Sequence, residues 1–274
     1  MREQLSSRIM SFWGILKNHH DLTARYIGSA RRVVASQRTG TADAQLGMTL
    51  TFVAGAINAG GFLAVGQYTS HMSGVFSSMA DNLALGAVDL TLIGLAALLP
   101  FLAGAGCSAI LINWGRRRHL ESQFALPLML EAALLIGFGI LGWLISASWH
   151  FTLAAVPLLC FIMGLQNATV TKISGARMRT THVTGIVTDI GIELGKLAYW
   201  NRNKTSPKVQ ADHGKLCLLS LLLLSFFIGG VIGAVGYSRA GFLFSIPLAL
   251  LLILLAGPPL VADLFAHRHN AHSV

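Results

Sequence analysis

Apolar residues run along this chain in blocks too long for a soluble core. Stretches without Asp, Glu, Lys or Arg cover Ala44 to Ala80, Leu90 to Ile112, Leu216 to Ser238 and Ala240 to Ala262. A further block runs from Ser122 to Leu130 and on past Glu131 towards Ile173, with Lys172 near its end. Roughly 20 apolar residues cross the hydrocarbon of a bilayer as a helix, so these blocks predict about six spans. They fall near 46–67, 89–112, 125–146, 151–170, 216–237 and 241–261.

The first block is longer than one span requires. Its span ends near Gly66, and the chain must reach Asp89 on the same side before it returns through Leu90. Residues 68–86, YTSHMSGVFSSMADNLALG, are too polar for a lipid-facing span and too apolar for an ordinary loop. Gly74 to Leu85 has helical spacing, with Ser73, Ser77 and Asp81 along one face and Val75, Phe76, Met79 and Leu83 elsewhere. The prediction is a short re-entrant or interfacial helix, covered by the bundle because irregular backbone at membrane depth needs protein or water around it. A second such helix is predicted to open at TTHVTG (180–185) and run through Ile186 to Leu197, where Asp189 and Glu193 lie one turn apart.

The two short elements belong to a repeat. FVAGAINA (52–59) aligns with FIMGLQNA (161–168), pairing Phe52 with Phe161, Gly55 with Gly164, Asn58 with Asn167 and Ala59 with Ala168. After a two-residue slip, TSHMSG (69–74) aligns with TTHVTG (180–185), so that Ser70 faces Thr181, His71 faces His182, Ser73 faces Thr184 and Gly74 faces Gly185. The fold class expected is therefore an all-α membrane protein of two three-helix repeats, about 46–146 and 151–261, each with one short helix. Three spans is an odd number, so the copies face opposite ways as an inverted repeat.

Composition and charge refine this picture. A chain of 274 residues that is 54% hydrophobic and 11% charged, with 29 glycines, calls for a bilayer as its solvent. The net charge of +9 does not point to nucleic acid, because of where it sits. With the amino terminus in the cytoplasm, the inside segments collect the basic residues of 1–43, Arg116 to Arg118, Lys172 to Lys215 and Arg268, leaving Arg239 outside. This positive-inside bias places both termini in the cytoplasm. Residues 1–43 form a basic cytoplasmic extension with an apolar face of Ile9, Phe12, Trp13, Ile15 and Leu16; a mitochondrial presequence is weakened by Glu3, Asp21 and Asp43, and no cleavable signal is read. The polytopic domain spans 44–262, and residues 263–274 are a tail whose His267, His269 and His272 are read as solvated. Cys107, Cys160 and Cys217 lack the spacing of a disulfide framework or a zinc site.

The chemistry concentrates on the repeated polar element. Ser73 and Thr184, each before a glycine at a helix start, are placed as N-caps. If both amino ends point to the bilayer centre, their N–H groups and positive dipole ends suit an anion or the negative end of a polar solute. His71 and His182 border the same place, and Asn58, Asn167 and Gln166 either line it or bond between helices. Glu131, about two turns inside the third span, is either a proton-coupling carboxylate or a partner of the Arg116 to Arg118 cluster. Asp81, Asp189 and Glu193 are expected near the interfaces, and the spacings Gly55 to Ala59 and Gly229 to Gly233 mark close helix packing.

GAINA followed by TSHMSG, and GLQNA followed by TTHVTG, resemble the paired motifs of the YoaK family of bacterial membrane proteins, over about residues 46–262. The resemblance implies a multi-pass inner-membrane protein of six or so helices and brings no established substrate. It also implies an Asp where this chain has Asn58 and an Asn where it has Val75, which removes a candidate coupling carboxylate from the first motif.

The function expected is a permease or transporter for a small solute, anions included among the candidates, with His71, His182, Ser73, Thr184, Gly74, Gly185, Asn58, Asn167 and Gln166 at the site. A membrane scaffold acting through the extension and the loop of residues 201–215 is the alternative. An intramembrane enzyme with His71 or His182 as acid or base lacks a recognised catalytic signature. No cofactor or metal is expected; the partners are the bilayer and an unidentified solute, with a homo-oligomer left open.

Overall fold

The computed structural model describes residues 40–120, 122–146, 149–175, 180–201 and 207–271. Most of the basic extension and the side chains of the tail beyond Asp263 lie outside the described residues. Among those described there is no strand. Helix α1 (Gly40–Val65) is followed by the short α2 (Met72–Ala84), then by α3 (Val88–Arg117) and α4 (Ala125–Ile145). Helix α5 (Trp149–Ile173), the short α6 (Val183–Ala198), α7 (His213–Ala240) and α8 (Ser245–Ala271) repeat the order long, short, long, long.

Five helical stretches are long and apolar enough to cross a membrane: Ala44–Leu63, Val88–Arg117, Ala125–Ile145, Phe151–Ile173 and His213–Asp263. The last, of 51 residues, holds both α7 and α8. The 3-10 turn Gly241–Phe244 divides them, and Gly241 sits at φ 59, a left-handed conformation that favours glycine. The chain is thus an integral, multi-pass membrane protein, and its outer surface agrees. Leu102, Ile110, Trp143, Leu153 and Phe227 are all exposed on helix flanks, where lipid rather than water is the suitable solvent.

The long helices pair across the two halves of the chain. Helix α1 packs most extensively on α7, and α3 on α5. Both crossings are built the same way, with glycines of each helix set against a backbone carbonyl of the other. A Cβ on Gly55 would overlap the Phe226 carbonyl, and one on Gly229 the Phe52 carbonyl. At the other crossing, a Cβ on Gly164 would overlap the Phe101 carbonyl and one on Gly104 that of Phe161. Missing side chains let these backbones touch, which in a membrane, where water drives nothing together, is the main source of helix association. The expected close packing through Gly55 and Gly229 is present, between α1 and α7.

Helices α1 and α5 occupy the middle. Of their apolar windows, 61% and 56% are buried inside the protein, against 22% for α3 and for the α7–α8 stretch. Helix α4 lies along α8, and each short helix packs on the long helix that follows it.

Several boundaries differ from those read in the sequence. Helix α3 runs on through Arg117 because its last-turn arginines are exposed and complement the negative end of the helix dipole. Helix α2 starts at Met72, ahead of the Gly74 read from side-chain spacing, and α6 starts at Val183, inside the TTHVTG motif expected to open it. Apolar periodicity has no power over the first turn of a helix, where the backbone is already committed.

Candidate functional site

The ends of α1 and α5 are matched. Gly66 (φ 69) and Gly175 (φ 57) stand in the register that aligns Phe52 with Phe161, and each leaves its helix in the left-handed conformation that terminates a helix. Helices α2 and α6 begin a few residues later. His71 (φ −89, ψ 64) and His182 (φ −83, ψ 54) occupy the N-cap positions with nearly the same backbone geometry. Their carbonyls accept the first intrahelical hydrogen bonds, from the Val75 amide at 3.1 Å and the Ile186 amide at 3.0 Å.

This corrects the expected capping. Ser73 and Thr184 are the second residues of α2 and α6, too far along to cap, and neither helix start carries a side-chain cap bond. The first-turn amides of both helices are therefore left without a capping side chain.

Asn58 and Asn167 hold the two turns in place. The Ser70 hydroxyl donates to Asn58 Oδ1 at 2.9 Å, and its repeat counterpart Thr181 donates to Asn167 Oδ1 at 2.8 Å. Thr180 adds a longer bond to the same Asn167 oxygen, at 3.4 Å, whereas the aligned Thr69 is buried with its hydroxyl unpartnered. Asn167 is fixed in turn by donating to the Met163 carbonyl at 2.8 Å.

The structure brings both turns to one cavity of about 550 Å³. Ser70, His71 and Ser73 line it from the first copy, and Asn167, Thr181, His182 and Thr184 from the second. Phe101 and Ala105 of α3, with Gly164, Ala168 and Thr171 of α5, form the wall. No carboxylate is among the lining residues. A second cavity of about 420 Å³, between α2 and α3, shares His71 and includes Gly74 and Ser78. His71 thus stands between the two spaces. Gly74 is needed there, because a Cβ on it would overlap the His71 imidazole; a Cβ on Gly185 would meet His182 Nδ1 only at an ordinary 3.5 Å.

Four residues expected at the site do not line the larger cavity, Gly74 among them, which lines the second cavity instead. Asn58 reaches the cavity only through Ser70, and Gly185 does not line it. Gln166 is fully buried between helices and donates to the Leu50 carbonyl of α1 at 3.2 Å, so it bonds α5 to α1. Sequence reading missed Thr181, Ser70 and Thr171 as lining groups. The first two were visible in the repeat alignment as hydroxyls beside each histidine.

The acids are also placed. Glu193 is buried: it accepts from Lys196 at 2.8 Å and from the Asp212 amide at 2.9 Å, with Lys215 at 3.9 Å. The Lys196 hydrogen bond, then that of the Asp212 amide, hold its carboxyl below the ordinary carboxylate range. Asp189 pairs with Lys215 at 3.4 Å, so the cluster ties α6 to the start of α7. Glu131 does not pair with the arginine cluster. Arg116 instead donates to Gln123 at 3.3 Å, and both Glu131 oxygens are buried without a hydrogen-bond partner. Among the described residues no group of His, Cys, Asp or Glu is arranged to hold a metal.

A family model described as a protein of unknown function, DUF1275, matches residues 46–257. No curated protein and no solved structure matches the chain.

Proposed function

Since the chain belongs to the DUF1275 family of proteins of unknown function, we propose from its own site that it is a transporter or permease for a small polar solute, with anions favoured. One observation carries this reading: the two repeated turns, with matching caps and matching Asn-to-hydroxyl bonds, meet at a single cavity. A volume of about 550 Å³ suits a small molecule. The lining offers hydroxyls, imidazoles and two uncapped helix amino ends, a set that hydrogen-bonds and attracts negative charge. Transport is preferred to catalysis because the lining residues include no carboxylate and the sequence carries no recognised catalytic signature.

In this reading α1, α3 and α4 form one inverted repeat and α5, α7 and α8 the other, giving six spans with α2 and α6 re-entrant between them. The reciprocal crossings of α1 with α7 and α3 with α5 support it, since a two-fold relation in the membrane plane exchanges them. The lysines and arginines then set both termini in the cytoplasm of a bacterial inner membrane. Solute enters from alternate sides as the halves rock about the cavity.

The test is flux into proteoliposomes, with chloride, nitrate, sulfate, phosphate and short carboxylates as labelled probes. Native protein is compared with His71→Ala and His182→Ala, each first checked for folding by size exclusion and thermal melting. Saturable flux of at least one probe, lost in both variants, is expected. Folded native protein that moves none of them refutes the anion reading.

A further inference from the structure

Glu131 takes no part in the cavity, yet it is the most enclosed acid described, with zero exposure and no partner for either oxygen. It lies six residues into α4, about 9 Å along the axis from Ala125. Its neighbours on the helix, Leu128, Ala132 and Leu135, are buried and apolar. An acid in this position carries a strong desolvation penalty and is retained only where it has a use.

The surroundings supply a route and a hinge. Contacts of Ser122 with Asp263, Gly139 with Ser245 and Gly142 with Phe242 show that α4 and α8 run antiparallel. This register sets Glu131 level with Ile253 and Leu254. Pro259 has no amide to bond the Leu255 carbonyl, so the hydrogen-bond ladder of α8 is interrupted within one turn of the level of the acid. Towards the arginine-rich end, about two turns away, lies a buried polar layer. There Asp263 accepts from both the amide and the hydroxyl of Ser122 at 2.7 Å, beside Gln123.

We propose that Glu131 is a proton-binding site, loaded in the conformation seen and unloaded through the Ser122–Gln123–Asp263 layer when α8 bends at its prolines. The inference rests on the transport reading for its purpose, which is to couple proton movement to the solute. The proton adds to one carboxylate oxygen and leaves as such, so no other reactant is needed. The remaining titratable or charged described groups on the elements packed against α4 are Asp263 on α8, Cys160 and Lys172 on α5, and Asp89, Cys107, Arg116 and Arg117 on α3. None of them bonds the Glu131 carboxyl.

The test uses full-length protein in phosphatidylcholine vesicles and a membrane-soluble carbodiimide, which reacts with protonated carboxyls. Adducts are located by peptide mass mapping across a pH series, with and without sodium. Labelling of Glu131 is expected, falling about tenfold per pH unit once the group releases its proton and absent in Glu131→Gln. Labelling that never changes with pH, or no labelling at all, overturns the proposal. Protection by sodium at constant pH overturns it in favour of a metal cation. Because this readout involves no solute, it stands or falls separately from the flux experiment.

Discussion

Replacing Gly164 with Ala places one methyl group where α5 meets α3. The new Cβ would lie 2.8 Å from the Phe101 carbonyl carbon and 3.0 Å from its Cα, with the carbonyl oxygen closer still. Carbon atoms rest at roughly 3.5–4.0 Å, so the helices must part by about 1 Å. The obstruction is backbone, which cannot swing aside as a side chain does. Such overpacking costs about 1–3 kcal/mol, a factor of roughly 5 to 150 in the folding equilibrium. Gly106 on α3 is the control, because a Cβ there meets nothing within 4 Å, and Gly106→Ala should be neutral or slightly stabilising. Gly104→Ala meets the reciprocal Phe161 carbonyl, so the double variant with Gly164→Ala should cost less than the sum, the helices having already separated. Thermal and denaturant unfolding in detergent or bicelles reads these differences. Gly164→Ala and Gly106→Ala melting within about 0.5 kcal/mol of one another would show that the crossing is not the tight backbone contact described here.

Gly74→Ala should displace the His71 ring and impair flux or water access at the cavity, while Gly185→Ala leaves both near native; cysteine accessibility at Ser73 in a background without Cys107, Cys160 and Cys217 measures it. Asn58→Ala and Asn167→Ala should each lose about 0.5–1.5 kcal/mol per hydrogen bond and speed amide exchange at the adjoining turn, leaving the opposite turn protected. The Glu193 carboxyl is depressed by Lys196 and the Asp212 amide, so its contribution is complete above the unfolded value of about 4.3 and disappears as pH falls through the lower folded value. Exchange of the Asp212 amide should therefore accelerate at acid pH, and Glu193→Gln should remove that dependence.

The long helices were legible because an apolar run of span length has no other stable solvent, and the repeat was legible because residues such as His71 and His182 recur with their neighbours. The cap positions were not. Ser73 has the chemistry of an N-cap, but Asn58 pulls Ser70 towards α1 and brings the turn to its end at His71, a contact between residues twelve apart that spacing alone cannot show. The pairing of α1 with α7 was hidden for a stronger form of the same reason. Gly55 and Gly229 both advertise a close approach, and neither names the backbone it approaches. Gln166 illustrates the converse: a polar residue next to Asn167, one position round the helix, that faces α1 and not the cavity.

The reciprocal crossing has a consequence for how the protein is made. The backbone partner of α1 is α7, and 147 residues of chain lie between Val65 and His213. At roughly 5–20 residues per second, α1 waits on the order of ten to thirty seconds after its own synthesis before that partner emerges. During that interval its glycine-lined face, cut to receive a bare carbonyl, lies against lipid or whatever insertase holds it. Neither half can reach its final packing alone. Two separately produced halves should therefore assemble only when both are present in the same membrane, and a ribosome stalled before His213 should leave a chain that quality-control proteases recognise.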